Sequence, residues 1–276
     1  MEKLQKALEK ARATRLARKL PIELNSDGAP DESLRPKLES WEPLTEIKFD
    51  PAVLERNKII AFQGGPAATY YDILRTRLRD ECKRRDIKRV AITSTRPQAG
   101  KSTTLANLAF SFGRLPFHRT MIFDFDLRRP SMHKLLGQTP RYDMGQVLRG
   151  EVRFDDHILR HGDNLAFGFN AQPVVNPSEL LQSERTLDFL AAVDETYFPD
   201  LMLFDMPPFL AADDAHGFLS SIDGVLLVVE AERTTRAQLD MVEQKLSELS
   251  TVIGVVLNKC NFPDETDVGA YGYEYN

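Results

Sequence analysis

The sequence predicts an α/β protein: a mostly parallel sheet with helices on both faces, preceded by an N-terminal helix and a linker. Two observations predict it: short, continuously apolar segments recur after residue 58, and helix-like segments separate them. Continuous apolar runs are typical of parallel strands buried on both faces. The predicted strands are Val90–Ser94, Thr120–Phe125, Leu201–Phe204, Gly224–Val229 and Val252–Leu257. The predicted helices lie near residues 68–85, 101–114, 179–196, 213–220 and 234–249.

Residues 1–20 are predicted to form a basic amphipathic helix. They hold seven Lys/Arg and two Asp/Glu, and leucines such as Leu4, Leu8 and Leu16 form a narrow apolar stripe. Three hypotheses fit this pattern: a solvated arm, a helix that docks on a protein partner, or a helix that binds an anionic lipid surface.

Residues 21–57 are predicted to be a proline-rich linker, because residues 21–51 hold five prolines and many charges without a sustained period. Trp41, the only tryptophan, either pins this linker onto the domain or is exposed. Residues 58–262 are predicted to form one domain with a core of adequate size, and residues 263–276 a mobile tail.

Composition excludes several classes of protein. The 276 residues carry 36 Lys+Arg and 41 Asp+Glu, a net charge of −5, which argues against non-specific nucleic-acid binding. No run of about 18 apolar residues occurs, so no membrane span is predicted. The only cysteines, Cys82 and Cys260, predict neither a disulfide framework nor a zinc site, so a reducing cytoplasm is the expected compartment.

The strongest chemical signal is a phosphate-binding loop between a strand and a helix. Thr95–Ser102 ends in Gly100, Lys101 and Ser102, and an apolar helix follows. The free N–H groups at the helix start favour a polyphosphate. Lys101 can reach the β- and γ-phosphates, and the Ser102 hydroxyl can bind Mg²⁺. The loop departs from the pattern G-x-x-x-x-G-K-S/T at its first position, which is Thr95.

Acidic residues follow two of the other predicted strands. Asp124 and Asp126 lie at the end of the strand Thr120–Phe125, just before Arg128, and Asp205 directly follows the strand Leu201–Phe204. An open α/β sheet binds ligands at the carboxyl ends of its strands. Carboxylates placed there beside a phosphate loop suit Mg²⁺, which prefers oxygen ligands.

These three motifs, in this order, resemble those of the bacterial tyrosine autokinases of capsule and exopolysaccharide synthesis, a family with a P-loop NTPase fold. Its motifs are the phosphate loop, a strand ending D-x-D-x-R, and a strand ending D-S/T-P-P. They correspond here to Thr95–Ser102, Asp124–Arg128 and Asp205–Pro208. The resemblance covers about residues 66–276.

The resemblance implies ATP and Mg²⁺ as cofactors and assigns roles to single residues. Lys101 would stabilise the transferring phosphoryl group. Ser102 would ligate Mg²⁺, with Asp205 holding it directly or through water, while Asp124 or Asp126 orients the metal and receives the tyrosine proton. Arg128 would steady the phosphate or the acidic tail. The nucleotide-binding residues would be Ala99, Gly100, Lys101, Ser102, Thr103 and, at the base, Asn258.

The C-terminal tail is rich in tyrosine. Tyr271, Tyr273 and Tyr275 fall within the final six residues, although the whole chain has seven tyrosines. The family's autophosphorylated cluster lies at this end, so the resemblance implies that these three tyrosines are phosphorylated by a neighbouring subunit.

Three departures from the family pattern stand out. Met206 occupies a position that is usually Thr or Ser, and Gln98 replaces a common glycine in the loop. In the subunit-contact helix, whose pattern is E-x-x-R-x-x-R, Thr69 and Asp72 replace Glu and the first Arg, and Arg75 is kept. The ring-forming contact is therefore expected to be weaker, different or dependent on a partner.

The leading hypothesis is an ATP-dependent tyrosine autokinase that regulates polysaccharide polymerisation or export. The resemblance implies a membrane activator of the chain-length-regulator type, a homo-oligomer or partner-dependent oligomer, and a cytoplasmic protein recruited to the inner face of the membrane. One alternative is a partitioning-type ATPase switch without kinase activity; its signature lysine would stand at Arg96. The other is a non-catalytic adaptor that binds nucleotide.

Overall fold

An eight-stranded sheet runs through residues 40–211 and 214–261, the part of the chain that the computed structural model describes. Its strands are β1 (Thr45–Glu46), β2 (Arg89–Ser94), β3 (Thr120–Asp124), β4 (Leu159–His161), β5 (Leu165–Gly168), β6 (Leu201–Asp205), β7 (Gly224–Glu230) and β8 (Val252–Asn258). The α-helices are α1 (Pro51–Arg56), α2 (Thr69–Arg85), α3 (Lys101–Gly113), α4 (Met132–Leu135), α5 (Met144–Leu148), α6 (Phe154–His157), α7 (Pro177–Leu181), α8 (Glu184–Tyr197), α9 (Asp214–Leu219) and α10 (Arg236–Ser247).

The strand order is β1-β4-β5-β3-β6-β2-β7-β8, and every neighbouring pair is parallel except β4 and β5. The predicted α/β class with a mostly parallel sheet is therefore confirmed. The helix predicted near 179–196 is divided into α7 and α8, because the Ser183 side chain accepts a hydrogen bond from the Thr186 N–H and caps a new helix.

The sheet is buried on both faces, and residues alternate between two hydrophobic clusters along each central strand. On β3, Met121 and Phe123 belong to one cluster and Ile122 to the other. On β6, Phe204 stacks on Phe123 with ring centroids 5.3 Å apart. This packing fixes the register of β3, β6 and β2, whose carboxyl ends meet at one edge.

The predicted linker over 21–57 needs correction at its C-terminal end, because residues 40–57 belong to the folded unit. Trp41 is 2% exposed, and its Nε1–H donates to the Tyr197 carbonyl at 2.8 Å. The Arg119 guanidinium lies 5.1 Å from the centre of the Trp41 ring. β1 then pairs with β4, so the folded unit begins before the predicted boundary at residue 58.

The remaining predictions for the chain ends concern residues that the structure does not describe. They are the basic helix over 1–20, residues 21–39 of the linker and the tail over 263–276. Within the described ranges, every helix is too short or too polar to cross a membrane.

Candidate functional site

The phosphate loop joins β2 to α3, as the sequence predicts. Gly100 has a φ of +96°, and α3 begins at the next residue, Lys101. A Cβ atom on Gly100 would lie 2.0 Å from the Asn258 Nδ2 atom. The left-handed backbone therefore favours glycine here, and a Cβ atom would also displace the Asn258 side-chain amide.

Strand register brings the predicted carboxylates to the same edge of the sheet. Asp205 lies opposite Asp124 on the neighbouring strand, and on its other side Asp205 lies opposite Ile92 of β2. Asp126 follows in the turn after β3. Asp124 and Asp205 are 0% exposed and Asp126 is 5% exposed, so three acidic side chains are withdrawn from water beside the phosphate loop.

Lys101 is the cation at the centre of this group. Its Nζ atom donates to Asp126 Oδ2 at 2.8 Å and to Asp205 Oδ1 at 3.3 Å. Burial disfavours the charged lysine, but the carboxylates of Asp205 and Asp126 outweigh it and raise the pKa of Lys101 above its usual value. Lys101 is therefore positively charged throughout the physiological range.

The carboxylates are only partly compensated by this one lysine. Asp124 Oδ2 accepts from the Met132 N–H at 3.1 Å, but its buried Oδ1 atom has no hydrogen-bond partner within residues 40–211 and 214–261. Burial and the neighbouring Asp205 raise the pKa of Asp124 well above its ordinary range. Burial also raises the pKa of Asp205, against the opposing effects of Lys101 and of the Ser102 hydroxyl, which donates to Asp205 Oδ2 at 2.6 Å.

The other predicted nucleotide-site residues lie around the same loop. The buried Ala99 carbonyl accepts from Asn258 Nδ2 at 2.8 Å, which places the end of β8 against the loop. Thr103 is half-buried in the first turn of α3, and Arg128 is exposed in the turn after β3. The structure thus brings the predicted loop, both acidic motifs and Asn258 to one edge. The predicted acceptors Tyr271, Tyr273 and Tyr275 lie outside the described residues.

Sequence reasoning missed three residues at this edge. The Ser131 hydroxyl donates to Ser102 Oγ at 3.3 Å, and Lys259 and Glu230 contact each other beside the phosphate loop. A signal for Glu230 existed, because it ends an apolar strand in the same way as Asp205. Ser131 and Lys259 carry no comparable signal.

Two of the departures from the family pattern have a structural counterpart. The Met206 side chain is 0% exposed and packs in the hydrophobic cluster that contains Phe204, so it faces the core. On α2, the Asp72 carboxylate accepts hydrogen bonds from Arg75, Arg114 and Ser111 of the same chain.

A strand, a phosphate loop and a helix start, with buried carboxylates at the ends of the next two strands of the sheet, β6 and β3, define a P-loop nucleotide-binding protein. The chain belongs to the CobQ/CobB/MinD/ParA nucleotide-binding domain family, whose model matches residues 90–274. The resemblance to the bacterial tyrosine kinases is also confirmed by the relatives that this chain matches.

The tyrosine-protein kinase YwqD of Bacillus subtilis is 28% identical over 208 residues, which cover 75% of this chain and 86% of YwqD. A tyrosine-protein kinase CpsD of Streptococcus agalactiae is 29% identical over 212 residues, covering 74% of this chain and 89% of CpsD. The solved structure of the kinase domain of the Escherichia coli tyrosine kinase ETK aligns with a TM-score of 0.64 at 25% identity, over 76% of this chain and 80% of that chain.

Proposed function

We propose that this protein is an ATP-dependent protein-tyrosine autokinase that phosphorylates tyrosines of its own C-terminal tail in a neighbouring copy. The observation that carries the proposal is the contact of Lys101 with Asp126 and Asp205 at the start of α3. In a chain similar to tyrosine-protein kinases, this arrangement supports phosphoryl transfer from a bound nucleotide.

The phosphate chain of ATP would lie on the backbone N–H groups of the loop and of the first turn of α3. Ala99, Gly100 and Thr103 contribute backbone groups or close packing, and Lys101 supplies the positive charge for the β- and γ-phosphates. For this, the Lys101 Nζ atom exchanges carboxylate contacts for phosphate contacts. Asn258, at the end of the last strand, would contact the base.

The carboxylate group fits a magnesium ion. Among the described residues, the buried Oδ1 atom of Asp124 has no partner, and three acids face one lysine, so a cation would be attracted to these carboxylates and would stabilise their ionised forms. Ser102, Asp124 and Asp205 would hold Mg²⁺, with the carboxylates binding directly or through water. Within the described ranges, no three His, Cys, Asp or Glu side chains, including these aspartates, are arranged so that they alone would hold a metal ion. When bound, the ion would neutralise charge on the phosphates.

In the reaction, a bond forms between the phenolic oxygen of a tail tyrosine and the γ-phosphorus of ATP. The bond from that phosphorus to the β,γ-bridging oxygen breaks, and ADP leaves. The phenolic proton passes to Asp124 or Asp126. Lys101 offsets the charge on the transferring group, and Arg128, exposed at the rim, steadies the phosphate or the incoming acidic tail.

The proposed acceptors are Tyr271, Tyr273 and Tyr275. We further propose that the reaction regulates polysaccharide polymerisation or export, at the inner face of the membrane, in response to a membrane activator of the chain-length-regulator type. The similarity to YwqD and CpsD supports the tyrosine-kinase part of this proposal.

Incubation of the full chain with Mg-ATP, with and without the cytoplasmic segment of the candidate activator, tests the proposal. Mass spectrometry of the tail should show phosphotyrosine, and replacement of all three tail tyrosines by Phe should abolish it. Asp124→Asn and Asp126→Asn, compared at several pH values, separate the proton acceptor from the metal-orienting residue. If the tail contains no phosphotyrosine either with or without the activator segment, the kinase proposal is wrong.

The match to the CobQ/CobB/MinD/ParA domain family favours a second candidate function. This function is that of an ATPase switch that does not phosphorylate its own tail. Steady phosphate release with an unphosphorylated tail would favour it. A third candidate function is that of a nucleotide-binding adaptor without catalysis. Such a protein would bind nucleotide but produce neither phosphotyrosine nor free phosphate.

A further inference from the structure

Gln98 has an unusual backbone conformation in the middle of the phosphate loop. Its φ is +62°, in the left-handed region that a residue with a Cβ atom adopts at a cost in free energy. The loop of this chain therefore needs an interaction that holds Gln98 in place.

The end of β8 supplies such an interaction. The Lys259 Nζ atom donates to the Gln98 carbonyl at 2.7 Å, while Asn258 Nδ2 donates to the next carbonyl, that of Ala99, at 2.8 Å. Two consecutive residues thus bind two consecutive carbonyls of the loop. The donor of the first bond is charged, which strengthens a hydrogen bond, while water competes for the Lys259 side chain, which is 48% exposed.

Glu230, at the end of β7, holds the lysine in turn. Its side chain is 8% exposed, and its Oε1 atom lies 3.2 Å from Lys259 Nζ. The same carboxylate lies 3.8 Å from Arg96 of the phosphate loop and 3.6 Å from Arg233. Glu230 therefore links β7, β8 and the loop by charge.

We propose that Lys259 is a positioning residue, which, anchored by Glu230, holds the Gln98 carbonyl and keeps the phosphate loop in the conformation that receives phosphate. A glycine at position 98 would adopt the left-handed conformation without this cost. Gln98 does not, so a hydrogen bond from Lys259, outside the loop, stabilises that conformation instead. The inference rests on the nucleotide-binding part of the proposed function and not on phosphoryl transfer.

The first test compares Lys259→Met with wild type, using a fluorescent ADP analogue with Mg²⁺. Binding should weaken about tenfold, the equivalent of roughly 1.4 kcal/mol. Amide hydrogen exchange of residues 96–103 without nucleotide should become faster. Lys259→Arg, which keeps a charged donor, should retain most of the affinity. Lys245→Met, an exposed lysine on α10, is the matched control and should behave as wild type.

Rescue by glycine separates this role from direct contact with nucleotide. In a Gln98→Gly background the loop no longer needs the lysine, so Lys259→Met should weaken binding less than about threefold. An equal loss in both backgrounds, or no loss in either, would overturn the proposal. If wild type binds no nucleotide, that part of the proposed function fails, and hydrogen exchange alone decides the role of Lys259: unchanged exchange in Lys259→Met contradicts it.

Discussion

The phosphate-loop edge of the sheet and the α2–α3 contact both gather charged residues, but they satisfy the charges differently. At the sheet edge, Lys101 faces Asp124, Asp126 and Asp205, all withdrawn from water, and one oxygen of Asp124 has no partner in the described part of the chain. At the contact between α2 and α3, the Asp72 carboxylate is about one-third exposed and accepts from three donors.

The difference distinguishes a ligand-binding site, at the sheet edge, from a contact that only stabilises the fold, between α2 and α3. A buried charge without enough partners lowers the stability of the fold. Proteins retain such charges at sites where a bound ligand supplies the missing interactions. The Asp72 carboxylate has all its donors in the same chain and joins α2 to the end of α3, although the buried Arg75 Nε atom beside it has no hydrogen-bond partner among the described residues. The α2 surface, which the sequence motif relates to subunit contact, here directs Asp72 and Arg75 into the same chain, since Arg75 Nη1 also donates to the Ser111 carbonyl at 2.9 Å.

The largest expected effect is that of Lys101→Met. It removes the one cation among three buried acids, so tail phosphorylation should fall by about 10²–10³-fold. Mass spectrometry of the tail after a timed reaction with Mg-ATP measures this. Lys83→Met, an exposed lysine of α2, is the control. Equal phosphorylation in the two variants would contradict a catalytic role for the sheet edge.

Asp72→Ala should have the largest effect on stability among the changes to α2. It removes the acceptor for Arg114 and Ser111 and leaves the mostly buried Arg75 without its carboxylate. We expect a loss of about 1–2 kcal/mol in the free energy of unfolding, measured by urea denaturation. Nucleotide affinity should stay unchanged. If Asp72→Ala instead weakened nucleotide binding strongly and left the free energy of unfolding unchanged, the α2–α3 contact would be part of the binding site, contrary to this account.

Asp124→Asn should stabilise the nucleotide-free protein while it impairs magnesium-dependent activity. The pKa of Asp124 is raised in the folded state, so the unfolded chain loses this proton first as pH rises above about 4. Wild type therefore loses stability relative to the variant between that pH and the folded-state pKa. At pH 7 the gain of the variant should be of the order of 1 kcal/mol. Urea midpoints that differ equally at pH 4 and pH 8 would contradict this account.

Asp80→Ala should have the smallest effect. Asp80 pairs with Arg79 at 3.5 Å on the exposed side of α2, and its side chain is 65% exposed. Exposed pairs contribute about 0–0.5 kcal/mol, so urea denaturation should detect little change. The variant is the matched control for Asp72→Ala, because both remove an aspartate from the same helix. If Asp80→Ala lowered the free energy of unfolding as much as Asp72→Ala, the effect of both variants would come from the electrostatics of helix α2 and not from the contact with α3.

The main strands and the two acidic motifs were predictable because each is encoded locally. A run such as Val225–Val229 has no polar face, which indicates a strand buried on both sides. A glycine, lysine and serine after such a run indicate a phosphate loop. The meeting of Asp124 and Asp205 also followed, since parallel strands end at one edge.

The short elements could not be predicted from local pattern. β1 has two residues and β4 has three, and each exists because a neighbouring strand offers hydrogen bonds. Trp41 lies in a segment whose prolines indicate a linker, yet its ring is buried against Arg119. Only contacts distant in sequence reveal that residues 40–57 belong to the domain.

The sequence by itself determined the fold class, the phosphate loop and the identity of the acids beside it, because hydrophobic runs and loop chemistry are properties of consecutive residues. The tertiary structure decided which of the charges are left uncompensated. It places Lys101 against Asp126 and Asp205, leaves one oxygen of Asp124 without a partner among the residues described, and brings Lys259 to the Gln98 carbonyl. Burial and distance set these energies, and both arise only when separate strands come together.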